Sequence, residues 1–100
     1  MNLTGEIIIG IGKNMASKRF HIDKTWKGNY EEDIHFEGSI ELDDKVTSAV
    51  TDEWREVFYP SITTPQKVAE HIAYNMIVND LKLSGIDGFA NLPDEMATLY

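Results

Sequence analysis

Cysteine is absent from this chain of 100 residues, which excludes disulfide staples, thiolate zinc sites and cysteine nucleophiles and fits a reducing compartment. Basic residues are scarce, nine against seventeen acidic ones, for a net charge of −8. That balance argues against sequence-independent nucleic-acid binding, which requires several Lys or Arg to neutralise phosphates. No apolar run approaches the roughly 20 residues of a membrane span. The start, Met1 to Gly5, lacks the positive and long apolar regions of a signal peptide. A cytoplasmic protein with no membrane partner is expected. Internal repeats, linkers and low-complexity tracts are also missing, so residues 1–100 are read as one domain.

What is present suffices for one hydrophobic core: 42% of the residues are hydrophobic and 10% aromatic, well above the content of disordered chains. Charge is unevenly placed. Residues 31–56 carry ten acidic and two basic side chains, Lys45 and Arg55, whereas residues 1–30 have a net charge of +3 and residues 57–100 of −3. An acidic block beside a basic one can orient a protein on a partner.

Three stretches alternate with the period of two that marks half-buried strands. The first places Leu3, Ile7, Ile9 and Ile11 on one face. The second places Phe20, Ile22 and Trp26 opposite Arg19, His21, Asp23 and Thr25. The third alternates Ile34, Phe36, Ile40 and Leu42 with Asp33, His35, Glu37, Ser39 and Glu41, Gly38 being the one gap in its apolar row. Apolar rows on a common side require paired residue numbers with an even sum. A sum of 58 sets His21 opposite Glu37 and Asp23 opposite His35, avoids like charges, and leaves a loop from Lys27 to Glu31; it is the expected register.

After Leu42 the period becomes helical. Asp43 or Asp44 can cap a helix carrying Val46, Ala49, Val50, Trp54, Val57 and Phe58, closed by Pro60, with a break near Thr51 able to cap a second piece. A longer helix is expected from Pro65 to about Asp80, with Thr64 as N-cap and an apolar stripe of Val68, Ala69, Ile72, Ala73, Met76 and Ile77. Gly85 and Gly88 mark turns, and a short helix is expected from Pro93. The order predicts an α+β fold: a three-stranded antiparallel meander, two main helices on one sheet face, and a short C-terminal element.

Chemical motifs are sparse. Gly10-Ile11-Gly12-Lys13-Asn14 fails as a phosphate loop, because Ile7 and Asn14 stand where glycine and a hydroxyl residue are needed. His21 and His35, with Asp23, Asp33 and Glu37, offer a metal-binding alternative on the wet sheet face. An exposed polar face explains them more simply, and no cofactor is expected. His71 and Asn75 lie one helical turn apart, but no nucleophile elbow accompanies them. Tyr74 and Val78 extend the path from Lys67 through His71 and would form a second contact surface, or a homodimer face, unless the C-terminal segment covers them.

The expectation is therefore a non-enzymatic module that binds another protein through Asp43, Asp44, Asp52, Glu53 and Glu56 with His71 and Tyr74. The alternative is a nucleic-acid mimic directed at a basic DNA-binding defence or restriction protein. Same-face residues on a strand lie about 6.6 Å apart, and Asp33, Glu37 and Glu41 fall at every second such position. Duplex DNA carries a charge per ~1.7 Å, so mimicry would need a composite surface.

The stretches Val68-Ala69-Glu70-His71-Ile72-Ala73-Tyr74-Asn75 and Leu83-Ser84-Gly85-Ile86-Asp87-Gly88 resemble uncharacterised small acidic phage-encoded proteins. The resemblance implies a phage or mobile-element origin and carries no activity.

Overall fold

The computed structural model describes residues 17–100. The expected strand at residues 3–11 and the glycine run at 10–14 lie outside the described residues. Strands β1 (Ser17–Lys27) and β2 (Asp33–Asp43) form an antiparallel hairpin. Two short helices follow, α1 (Asp44–Ser48) and α2 (Asp52–Val57), then α3 (Pro65–Ile77), two 3₁₀ turns (Leu83–Gly85 and Asp94–Met96) and β3 (Ala97–Leu99). The fold is α+β. Among the described residues the third antiparallel strand is the C-terminal β3, added to β2 in the order β1-β2-β3, and it is not part of an N-terminal meander.

The hairpin register corrects the expected one. Ser17 pairs with Asp43 and Lys27 with Asp33, a sum of 60, so His21 faces Ser39, Asp23 faces Glu37 and Thr25 faces His35. Only this register sets Arg19 against Glu41 and Lys27 against Asp33, and both pairs close as ion pairs, at 3.2 and 2.7 Å. They offset the like charges of Asp23 and Glu37, and Asp23 also reaches His35 diagonally at 3.4 Å. The turn fits the same alignment. Gly28 N–H donates to the Glu32 carbonyl at 2.8 Å, leaving a three-residue tip whose last member, Glu31, has φ +67°, the left-handed geometry such loops use.

The helical segment after Leu42 breaks where its propensity is lowest. Asp43 caps α1 by accepting from Lys45 N–H, and Thr51 caps α2 by accepting from Trp54 N–H. In α3, Thr64 accepts from Lys67 N–H and Pro65 stands at the start, as expected, but the helix ends at Ile77, before Asp80. Val68, Ala69, Ile72 and Ala73 are buried against Ile22, Ile40 and Leu42 in one core cluster. The opposite flank of α3 meets β1: Gln66 donates to the His21 carbonyl, Glu70 pairs with Lys24, and Tyr74 packs edge-on against Trp26 at 5.7 Å.

The short helix expected from Pro93 is one 3₁₀ turn that runs directly into β3. Ala97 is buried, Thr98 exposed and Leu99 half-buried, so the tail reads with period two and completes the sheet. Asp94 ties the two 3₁₀ turns together by accepting from Ser84 N–H and Oγ–H at 2.9 and 2.6 Å. Among the described residues, no helix is long and apolar enough to cross a membrane.

Candidate functional site

Trp54 sets the orientation of α2. Its side chain is 8% exposed, its indole N–H donates to the Gly88 carbonyl at 3.0 Å, and its ring lies 5.2–6.0 Å from those of Phe58, Tyr59 and Phe89. With Trp54 inward, helical spacing turns Glu53 and Glu56 to solvent, whereas Val57 falls on the Trp54 side and is exposed because the helix ends at it. Val57 is 73% exposed and Phe58, one residue past the helix, 41%. Phe58 also borders an open hollow of ≈ 430 Å³ shared with Gly85, Ile86, Asp87 and Ala90.

The acidic residues singled out by sequence divide by role. Asp43 is committed to its cap, and Asp52 pairs with Arg55 at 2.5 Å. Asp44, Glu53 and Glu56 have no ion-pair partner among the described residues. Asp52 and Glu56 share a second hollow with Arg55 and Pro60. The sequence places Val57 and Phe58 on the helical stripe with Trp54, and the structure exposes both beside unpaired acids. The sequence carries no local signal for this, because Trp54, Val57 and Phe58 share one helical face and only the end of α2 at Val57 separates them.

Among the described residues no hydrogen bond or ion pair joins His71 or Tyr74 to these acids. Tyr74 is half-buried against Trp26, so β1, rather than the C-terminal segment, lies over it. His71 stacks on Tyr59 with ring centroids 4.2 Å apart. The adjacent Asn75 donates to the His71 carbonyl at 3.0 Å.

Burial lowers the His71 pKa below its ordinary 6.5, with the Asp87 carboxylate opposing the shift. The unfolded chain therefore takes up this proton more readily, and stability is expected to fall as pH drops through about 6.5. A second decline is expected in the acid range. The Glu41 pKa is lowered first by the Ser17 hydroxyl and then by Arg19, and that of Asp94 by Ser84, so their contribution is present above the ordinary carboxylate values and lost below them. Urea unfolding between about pH 7.5 and 5.5 checks the first step. His71→Gln should flatten that slope, and a slope left intact would remove His71 as its source.

The metal alternative on the sheet meets the corrected register. His35 lies opposite Thr25, four residues along β1 from His21, which separates the two histidines by about 13 Å of strand. His35 is engaged instead with Thr25 and Asp23, at 2.9 and 3.4 Å. No group of three or more His, Asp or Glu side chains converges as a metal site among the described residues. Comparison with protein-family models, curated proteins and solved structures finds no match for this chain.

Proposed function

We propose that this chain is a non-enzymatic protein-binding module whose contact surface is the outward side of α2, and that it takes a basic segment carrying an apolar anchor. The observation that supports this most directly is the juxtaposition of Glu53 and Glu56, unpaired among the described residues, with exposed Val57 and Phe58. An apolar anchor surrounded by like charges is a common form of binding site, in which the anchor supplies affinity and the charges supply orientation and encounter rate. The hollow beside Phe58, at ≈ 430 Å³, is large enough to take one side chain of the partner. Asp44 extends the acidic surface towards α1, whereas Asp43 and Asp52 act mainly through their cap and their pairing with Arg55.

Selection of random peptides on the immobilised protein tests this reading. Enriched peptides are expected to combine Lys or Arg with a large apolar residue. Their affinity should weaken at raised salt and fall by about tenfold or more in Glu53→Gln/Glu56→Gln and in Val57→Ser/Phe58→Ser, a loss of about 1.4 kcal/mol. Peptides without basic residues, or affinities indifferent to all four substitutions, would remove α2 as the contact surface.

A further inference from the structure

We infer that the outer edge of β2 from Asp33 to Glu37 is a strand-addition site for an extended basic peptide. Among the described residues β3 pairs with Ile40, Glu41 and Leu42 of that edge, and Tyr100 and Ser39 exchange both backbone hydrogen bonds, at 2.8 and 3.2 Å. Because Ser39 bonds outward, odd-numbered residues of β2 direct their N–H and C=O groups to this edge, while even-numbered residues bond to β1. Asp33, His35 and Glu37 therefore present three donors and three acceptors along about 13 Å of strand, with no backbone partner on that side among the described residues. The opposite edge of the hairpin is guarded differently. There the His21 carbonyl, which also points outward, accepts from Gln66 of α3.

The side chains along the open stretch define the occupant. Ile34 and Phe36 are half-buried on the core face, so alternate residues of an added strand would extend the apolar layer. Among the described residues the solvent face carries Glu37 without an ion pair, Asp33 paired with Lys27 and Asp23 beside His35, and the hairpin tip adds Glu31 and Glu32, so acids exceed ammonium groups along this edge. Residues of the added strand on that face are therefore basic. A second copy pairing antiparallel through the same stretch would set Asp33 against Glu37 twice, which like-charge repulsion disfavours. This inference does not depend on the α2 surface. It uses backbone groups, the mode of recognition in which main-chain hydrogen bonds give affinity and alternate side chains give specificity.

Amide hydrogen exchange read residue by residue by NMR tests it, using a synthetic octapeptide of alternating lysine and valine and a copy of equal charge that is N-methylated at alternate residues. In the free protein the amides of Asp33, His35 and Glu37 should exchange fast while those of Ile34 and Phe36 are protected. The unmodified peptide should slow the first three and bind at least about tenfold more tightly than its N-methylated copy. Protection of those three amides in the free protein would overturn the inference, whether it arises from another part of the chain or from a second copy. So would equal binding of the two peptides, or protection of another site. Failure here leaves the α2 reading standing, since Glu53→Gln/Glu56→Gln is not expected to change exchange on β2.

Discussion

Gly88→Ala is expected to destabilise the fold by about 3–5 kcal/mol, a large part of the ~5–15 kcal/mol that holds a domain of this kind together. Two causes add. Gly88 has φ +97°, a conformation that an L side chain adopts only at a cost of about 1–2 kcal/mol. A Cβ placed there would lie 2.5 Å from Trp54 Nε1 and 2.6–2.7 Å from two indole carbons, and overpacking of that severity costs about 1–3 kcal/mol. The same displacement breaks the bond from the indole to the Gly88 carbonyl, leaving a nearly buried donor unsatisfied at about 1 kcal/mol or more. Urea denaturation measures the sum, and the same substitution in a Trp54→Leu background separates its parts. With the indole gone, only the backbone contribution should remain, about 1–2 kcal/mol. An equal cost in both backgrounds would show that the indole contact is not the cause.

The Trp54–Gly88 contact also shows what could and could not be read from the chain. Gly88 is legible as a turn and Trp54 as an inward helical position. Their meeting across 34 residues depends on the two 3₁₀ turns of the C-terminal segment, and neither residue predicts it. Local signals transferred well. Thr64 with Pro65, Thr51 after a run of valines and threonines, and the alternation around Ile22 and Ile40 each gave the element that formed, because caps and periodicity act within a few residues. Long-range choices did not transfer. The register that forms closes two exposed ion pairs, Arg19–Glu41 and Lys27–Asp33, and a three-residue tip between Gly28 and Glu32, and it accepts one like-charge contact between Asp23 and Glu37. Ala97 to Leu99 is too short to signal a strand on its own, and only the uncovered edge of β2 makes it one.

The candidate surface followed the same division. That the acids after Leu42 differ from those before it was visible in the change of period. Which of them are engaged was not, since a carboxylate at an N-cap and one facing solvent are identical in sequence. Asp43 and Asp52 find partners within three residues, and the cross-strand pairs neutralise Asp33 and Glu41 on the sheet. After Leu42 the acidic block thus narrows to Asp44, Glu53 and Glu56 together with the exposed Val57 and Phe58, while on the hairpin Glu31, Glu32 and Glu37 have no ion-pair partner among the described residues.

Gly38→Ala should show a change of sign that depends on a single residue elsewhere. In the chain as it stands, a Cβ at position 38 would lie 2.3 Å from the Tyr100 carbonyl oxygen and 2.8 Å from the Phe36 ring. The Phe36 ring sits at the end of a side chain and can turn. The carbonyl is backbone, fixed by the paired bonds between Tyr100 and Ser39, so the end of β3 must lift. That forfeits two backbone hydrogen bonds at about 1 kcal/mol each and the stacking of the Arg19 guanidinium 3.7 Å from the Tyr100 ring centre, about 0.5–1 kcal/mol at an exposed site. The expected cost is about 2–3 kcal/mol. In a chain shortened after Leu99 the obstructing carbonyl is gone, and a strand position without positive φ should instead favour alanine over glycine by about 0.5–1 kcal/mol. Denaturation of the four proteins of this cycle gives the coupling directly. If Gly38→Ala costs as much in the shortened chain as in the full one, the glycine serves Phe36 or β1 rather than the seat of β3. If the sign reverses, the gap in the apolar row of β2 exists to let the end of β3 close the sheet.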